Sequence, residues 1–421
     1  MIKALKKKSE FGFNLFTLVS GTALAQVLSL AINPLLARFY APQEFGLFTL
    51  YLSITAVCQI FATLRYEFAI VQPKKDEDAF ALVVLSTTLC FFISFFMLCF
   101  VSIFKEGIAS FLGSENLIGF IYLVPLSIFV YGCSESLNNW NSRKKDFSQI
   151  AKVKIIRSIG INFSQLGLKT ILSKGGLIIG QIFGDFLSLL VLIKKNYKKY
   201  LSYLKDLNFS KITFNAKMYS NLAKYSIFGS LANAISLHLP IFILGKYFDT
   251  VIVGYFGLAW RVLSVPSSFL HRALSRVLMQ KISVVRYDSI YKIYKITFLL
   301  FFILCVLIIP FTICVYFFGT EIFVFIFGET WRKAGSIASY LVLSVAIQFV
   351  VSPFSIVLGF SENVKILTIW QILNLLTLLL TFYFCYDKDI WTFLKYFISH
   401  VFFSYSIYFY LIISGIKNLA K

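Results

Sequence analysis

Twelve long apolar runs, separated by short polar connections, set the pattern of this 421-residue chain. Each run is long enough to cross a hydrocarbon core of about 30 Å, which takes about 20 residues at ~1.5 Å per residue. The spans fall near 12–36, 45–71, 79–104, 116–137, 153–172 and 175–194, then near 221–245, 251–272, 296–318, 336–359, 363–385 and 390–414. No polar stretch is long enough to form an extramembrane enzyme domain. The largest connection, 195–220, carries Tyr197, Tyr200, Leu201, Leu204 and Leu207 at helical spacing among lysines. That pattern predicts an amphipathic helix lying on an anionic inner leaflet.

The first two runs recur. Thr22 to Lys75 reads as an apolar run, the turn ARFYAPQEFG, and a second run ending in RYEFAIVQPKK. A gap-free shift of 208 places Gly21 on Gly229, Leu36 on Leu244, Arg38 on Lys246, Phe39 on Tyr247, Tyr40 on Phe248 and Gly46 on Gly254. Apolar matches between two membrane segments come cheaply; a matched cation–aromatic–aromatic triplet followed by a matched glycine does not. The repeat predicts two homologous halves. The fold class is therefore an all-α integral membrane protein with about twelve transmembrane helices in two pseudo-symmetric six-helix lobes. The expected layout is a basic tail 1–11, an N-lobe 12–194, a linker 195–220, a C-lobe 221–414 and a tail 415–421.

Composition agrees with a membrane chain: 58% of residues are hydrophobic and only 14% charged, against about 25% charged in soluble domains. The net charge of +21 does not point to nucleic acid, because the cations sit between the apolar runs. With both termini inside, 28 of the 40 Lys and Arg fall in cytoplasmic segments and 7 on the opposite side. A bias that alternates correctly along the chain supports twelve spans. Ala23-Leu24-Ala25 after a lysine-rich start resembles a signal-peptidase site, but the apolar run continues to Ala37, so an uncleaved first helix is expected. The seven cysteines lie in or beside apolar runs, none in a CxxC, and the three histidines are scattered. Neither a metal site nor a bound cofactor is expected.

Several spans carry a one-sided polar stripe. The first has Thr22, Gln26, Ser29 and Asn33; the fifth Ser158, Asn162, Gln165 and Lys169; the sixth Gln181, Asp185 and Ser188. The seventh has Ser226, Ser230 and Asn233, and the eighth Gly257, Arg261, Ser264 and Ser268. Such stripes either glue helices together, at about 0.6 kcal/mol per contact, or line a water-filled cavity. Five cations lie within spans: Arg65, Arg157, Lys169, Arg261 and Lys395. Asp185 is the one acid clearly at depth, with Glu67 and Glu135 close to inner ends. A charge at the bilayer centre costs about 2.5–3.5 kcal/mol on insertion scales, so a surplus of buried cations predicts an anionic substrate group, and phosphate suits arginine. Lys169 and Lys395 are near enough to span ends to snorkel. The substrate-binding candidates are Arg65, Arg261, Arg157, Gln26, Asn33 and Asn233. Asp185, Glu67, His238 and His400 are candidates for ion pairing or for H⁺ or Na⁺ coupling, the two histidines reading first as hydrogen-bonded packing residues and second as a proton-coupling pair with Asp185. Pro34, Pro125, Pro240, Pro266, Pro310 and Pro353 mark bends, whether mechanical or passive.

LVSGTALAQ from Leu18, PLLARFYAPQEFGLFTLY from Pro34, TLRYEFAIVQPKKDEDA from Thr63 and NNWNSRKKDFSQIAK from Asn138 resemble bacterial O-antigen and capsule flippases. These are polysaccharide exporters of the multidrug/oligosaccharidyl-lipid/polysaccharide superfamily. The motifs cover about 90 residues; beyond residue 275 the agreement is one of hydropathy. The resemblance implies a MATE-like, V-shaped pair of lobes in the bacterial inner membrane. It implies transfer of an undecaprenyl-pyrophosphate-linked repeat unit to the periplasmic leaflet through a cationic central cavity, without catalytic residues. Membrane lipids and the polysaccharide polymerase and chain-length machinery are the partners it implies. Three rivals stand beside it. A multidrug or cation antiporter needs acidic intramembrane residues to take up H⁺ or Na⁺ and a cationic drug, and the cations counted within spans here outnumber the acids. A lipid II flippase usually has two further helices. A membrane polymerase needs a larger outer loop or an acidic metal site than Glu321 and Glu329 offer.

Overall fold

The computed structural model describes residues 2–172, 174–205, 207–285, 290–360 and 363–419; within them every regular element is helical. The chain forms two compact units, Met1–Ala234 and Ile235–Lys421, dividing within one helix.

In the first unit α1 (Ile2–Phe39) runs unbroken through Pro34 and the lysine-rich start. The chain turns at Tyr40 and Ala41 into α2 (Pro42–Cys58), where Pro42 occupies the first turn and needs no backbone donor. Then come α3 (Asp76–Phe111), a short α4 (Ile118–Ile121), α5 (Val124–Arg143), α6 (Phe147–Ile171) and α7 (Gly176–Lys205). The three acids opening α3 face the positive end of its dipole. Helix α7 continues seven residues past Lys198 as an extension of the sixth predicted span, and α8 (Phe209–Met218) follows in the linker range. Helix α9 (Ser220–Tyr247) crosses the division between units. The second unit continues with α10 (Thr250–Val285), α11 (Ile290–Phe327), α12 (Arg332–Val351), α13 (Val364–Tyr383) and α14 (Ile390–Asn418).

Among the described residues nine helices are long and apolar enough to cross a membrane, and the bent pair Glu115–Ile121 and Val124–Arg143 reaches that length and hydropathy when its two helices are taken together. The pair bends by 47°, with Pro125 in the first turn of α5. The two remaining predicted spans differ for physical reasons. Helix α6 has the length, 25 residues, but carries Lys152, Lys154, Arg157 and Lys169. The span expected over 45–71 is broken. Helix α2 stops at Cys58, the backbone passes to i→i+3 bonds, and a 3₁₀ turn, Tyr66–Val71, follows. Leu64 (φ 49°) and Arg65 (φ 66°) adopt left-handed conformations in succession, which no right-handed helix can absorb. Of the six prolines, Pro125 and Pro353 sit at breaks, while Pro34, Pro240, Pro266 and Pro310 lie within continuous helices.

The internal repeat holds in three dimensions. Helix α1 ends at Phe39 and α2 begins at Pro42; α9 ends at Tyr247 and α10 begins at Thr250, both at the offset of 208. Leu36 and Leu244 are both wholly buried, as are Leu50 and Leu258. The Tyr40 and Phe248 amides donate to the carbonyls of Leu36 and Leu244 at 2.9 and 3.1 Å. The likeness ends where α2 ends: α10 runs on past Pro266, the counterpart of Cys58.

Within the first unit, α6 packs on α1 and α7, and α5 on α3 and α7. Helix α7 approaches closely because Gly176, Gly180 and Gly184 line one face. A Cβ at Gly184 would stand 2.5 Å from the Ile161 nitrogen, and one at Gly180 2.8 Å from the Gln165 nitrogen. In the second unit α12 is the central helix, packed by α10, α11 and α14. Asn363, wholly buried, ties one end: its amide donates to the Val357 and Gly415 carbonyls at 3.0 and 2.9 Å, and Asn418 donates to it at 2.8 Å.

Candidate functional site

The polar stripes of the first and fifth spans meet each other. Ser158 donates to the Ala25 carbonyl at 2.8 Å and lies 3.0 Å from the Ser29 hydroxyl, to which Asn162 also donates at 3.1 Å. Gln165 donates to the Leu177 carbonyl at 2.8 Å, and its own carbonyl accepts from the Tyr40 hydroxyl at 2.5 Å. Asn162 and Gln165 are wholly buried and Asn33 is 1% exposed, so this face of α1 and α6 is helix-to-helix glue. Asn33, expected on a substrate surface, is in the packed interior. Gln26, two turns away, is half-buried.

The ARFYAPQEFG turn is held from α6. Lys169 pairs with Glu44 at 2.8 Å and its ammonium stands 4.7 Å over the Tyr40 ring. The same Glu44 oxygen accepts from the Ala41 amide at 3.0 Å, capping α2. The motif is thus a structural knot, and Lys169 is a paired cation rather than a snorkelling one.

Arg65 lies at the break below α2. Its guanidinium donates to the Ser230 hydroxyl at 2.6 Å, stands 3.6 Å from Glu67 and lies 4.7 Å over the Phe68 ring. Glu67 is buried and accepts from the Thr63 hydroxyl. Ser230 on α9 is the repeat counterpart of Thr22. Arg157 on α6 pairs with Asp185 on α7 at 2.5 Å, and Gln181 supports Asp185 at 3.1 Å. The Arg157 side chain is 48% exposed in the first unit. On α5 the Tyr131 hydroxyl has Glu135, Glu67, Arg65 and Arg157 as its charged neighbours. Glu135, half-buried, has Arg157, Glu67 and Lys154 around it and a hydrogen bond to Asn138.

This corrects the charge count drawn from sequence. In the first unit Arg65, Arg157 and Lys169 each have a carboxylate partner, and the cations there are not in surplus. Glu44, in the turn before the second span, pairs with Lys169, and Glu135 adds a further carboxylate beside Arg157. Asn233 is half-buried on α9 in the first unit. Arg261 belongs to α10 and His238 to α9, both in the second unit. His400 on α14 lies 3.0 Å from the Thr377 hydroxyl of α13, the arrangement of a hydrogen-bonded packing histidine.

Comparison with known proteins places this architecture. A family described as polysaccharide biosynthesis protein matches residues 35–336. No curated protein matches the chain. Among solved structures, an inward-facing multidrug resistance MATE family transporter of the MOP superfamily superposes with a TM-score of 0.66 at 13% identity, covering 96% of this chain and 95% of that one. The lipid II flippase MurJ, inward closed, gives 0.67 at 18% over 96% and 86%. A MOP superfamily transporter from Pyrococcus furiosus Vc1 (DSM3638) gives 0.63 at 13% over 96% and 95%. At these identities the likeness establishes the fold, which is MATE-like, and the apolar helices make it multi-pass. With a match across more than half its length, the chain belongs to the polysaccharide biosynthesis protein family.

Proposed function

We propose that the chain is a flippase. It carries undecaprenyl-pyrophosphate-linked oligosaccharide repeat units, of O-antigen or capsule, from the cytoplasmic to the periplasmic leaflet of the bacterial inner membrane. Both termini are cytoplasmic in this reading, and transport proceeds by alternating access. The observation that carries it is Arg157: a cation within a span read from the sequence, its side chain half-exposed and held by one carboxylate, in a chain of the polysaccharide biosynthesis family.

The chemistry is that of replacing hydration. The lipid tail stays in the bilayer while the pyrophosphate and sugars cross, and moving that head through bare hydrocarbon costs on the order of tens of kcal/mol in the dry limit. Arg157 holds its charge against Asp185 until a phosphate arrives, then exchanges one oxyanion for another. A planar fork of donors suits that exchange better than an ammonium does. Arg65, braced by Ser230 and Glu67, is the further cation assigned to the anion. The displaced Asp185 is then the acceptor for H⁺ or Na⁺, which ties substrate binding to ion uptake. The polymerase and chain-length machinery receive the unit on the far side.

Deletion of the gene tests the reading. Loss of long surface glycan together with accumulation of undecaprenyl-linked repeat units on the cytoplasmic side is the expected result. Intact glycan with new sensitivity to cationic dyes would move the chain to the antiporter reading instead.

A further inference from the structure

At one end of the second unit, a cavity of about 560 Å³ opens among the α9–α10 turn, the α13–α14 connection and the start of α12. Its walls include Tyr247, Phe248, Tyr386, Asp387, Lys388 and Lys333. The volume falls within the ~300–1,000 Å³ usual for small-ligand sites. Tyr247 and Tyr386 form an aromatic corner, with ring centroids 4.8 Å apart and planes inclined by 50°. Both rings remain open, at 43% and 38% exposure. They are not loosely hung: Phe248 beside Tyr247 is set edge-on against Phe393 at 5.6 Å, and the Lys246 ammonium lies 5.1 Å from the Tyr247 ring.

Around this corner stand donors and acceptors together. Asp387 and Lys388 pair at 3.3 Å, with side chains 55% and 52% exposed, and Lys333 faces the same space. Asp389 is committed elsewhere: it caps α14, accepting from the Trp391 and Thr392 amides at 2.9 and 3.2 Å and from the Thr392 hydroxyl at 2.6 Å. The lysines and aspartates of the lining balance in charge. An apolar CH face laid on an exposed ring, with hydroxyls that donate to a carboxylate and accept from an ammonium, is the chemistry of a neutral sugar. A fatty chain has no use for the charges, and a pyrophosphate would be opposed by Asp387.

We propose that this cavity is a saccharide subsite, taking an uncharged hexose of the glycan head by stacking on Tyr247 and Tyr386. The inference rests on the flippase reading for its source of ligand. With the C-terminus inside, the subsite lies at the outer end of the second unit, where the head would be received before release. Tyrosines and lysines also gather at membrane interfaces as anchors. That role needs neither a walled cavity nor a carboxylate in it, and it makes a different forecast below.

The test uses the full chain in lipid nanodiscs and one probe, the repeat-unit oligosaccharide freed by mild acid from the cell's own surface glycan. Binding is read by saturation-transfer NMR and titration. The double variant Tyr247→Ala with Tyr386→Ala is expected to raise Kd about tenfold or more, as for removal of a buried aromatic anchor. The double Tyr→Phe variant keeps the rings and is expected to stay within about twofold. Asp387→Asn, at an exposed position, gives a second reading with no risk to folding and is expected to weaken binding severalfold. Unchanged affinity in the Ala pair and in Asp387→Asn overturns the subsite. So does a Phe pair as weak as the Ala pair, since stacking then plays no part. Interface anchors alone would lower membrane yield and leave Kd unmoved, which also overturns it. If deletion of the gene abolishes surface glycan while the Ala pair binds normally, only the subsite fails. If deletion leaves the glycan intact, the transport reading fails whatever the titration shows.

Discussion

Arg65 combines two residue-scale features that sequence alone keeps apart: a guanidinium within a predicted span and a left-handed backbone at φ 66°. A non-glycine residue there costs about 1–2 kcal/mol, so the position separates backbone from side chain. Arg65→Gly and Arg65→Ala both remove the contacts to Ser230 and Glu67. Only the glycine variant relieves the backbone, so it is expected to be more stable than the alanine variant by about 1 kcal/mol in detergent-solubilised melting. Both are expected to lose export alike; normal export in both would remove Arg65 from the anion site. Arg157 gives the complementary case. Its carboxylate partner would hold a lysine as readily as an arginine, but a two-pronged phosphate contact would not survive the change intact. Arg157→Lys is therefore expected to insert normally and retain a fraction of export, with Arg157→Ala about tenfold or more below wild type, as for loss of a charge-assisted contact. Equal export in wild type and Arg157→Lys would mean that charge alone matters. Reading sequence at this scale shows which residues share a face, not what they face. Thr22, Ser29 and Asn33 were visible as a stripe, but that Ser29 meets Ser158 and Asn162 of α6 depends on helices 129 and 133 residues away.

At the scale of elements, hydropathy located the helices because insertion depends on summed transfer free energy, which a window of residues carries. It did not reveal the break after Cys58. Left-handed turns announce themselves through Gly or Asn, and Leu64–Arg65 offers neither. It also underused a signal that was present. GLIIGQIFG in α7 spaces Gly176, Gly180 and Gly184 four apart, the pattern that lets two membrane helices approach closely. The Arg157–Asp185 pair bridges these same two helices, so their spacing sets the geometry of the proposed anion site. Gly184→Val is expected to destabilise the chain by about 1–3 kcal/mol through overpacking against Ile161 and to reduce export with it. Gly167 on α6 is the control, since a Cβ there meets nothing within 4 Å. Gly167→Ala is expected to be neutral or to stabilise the helix by about 0.5–1 kcal/mol. Similar melting of the two variants would separate the glycine stripe from α6–α7 packing.

For the whole molecule, two sequence-wide patterns are independent and lead to different properties. The repeat of 208 governs architecture: it returns as matched helix ends at Phe39 and Tyr247 and as matched buried leucines, because packing at a helix turn is dictated by local side-chain volume. The distribution of Lys and Arg governs orientation, which no coordinate set of the protein alone contains. Helix α14 lets that second pattern be measured on one rod. Its 29 residues rise about 43 Å at ~1.5 Å each, enough to clear the hydrocarbon core with both ends in water. Lys388 stands just before its start, 52% exposed, and Lys417 in its last turn, also exposed. In the proposed orientation, with the surplus of cations on the cytoplasmic side, Lys417 is inside and Lys388 outside. In a background with the seven native cysteines replaced, Lys388→Cys is expected to react with a membrane-impermeant maleimide in intact cells, and Lys417→Cys only after permeabilisation. The reverse pattern would invert the chain and put the aromatic corner of Tyr247 and Tyr386 in the cytoplasm, where it would meet the glycan before transport rather than after. Labelling of both from one side would mean that α14 does not span at all.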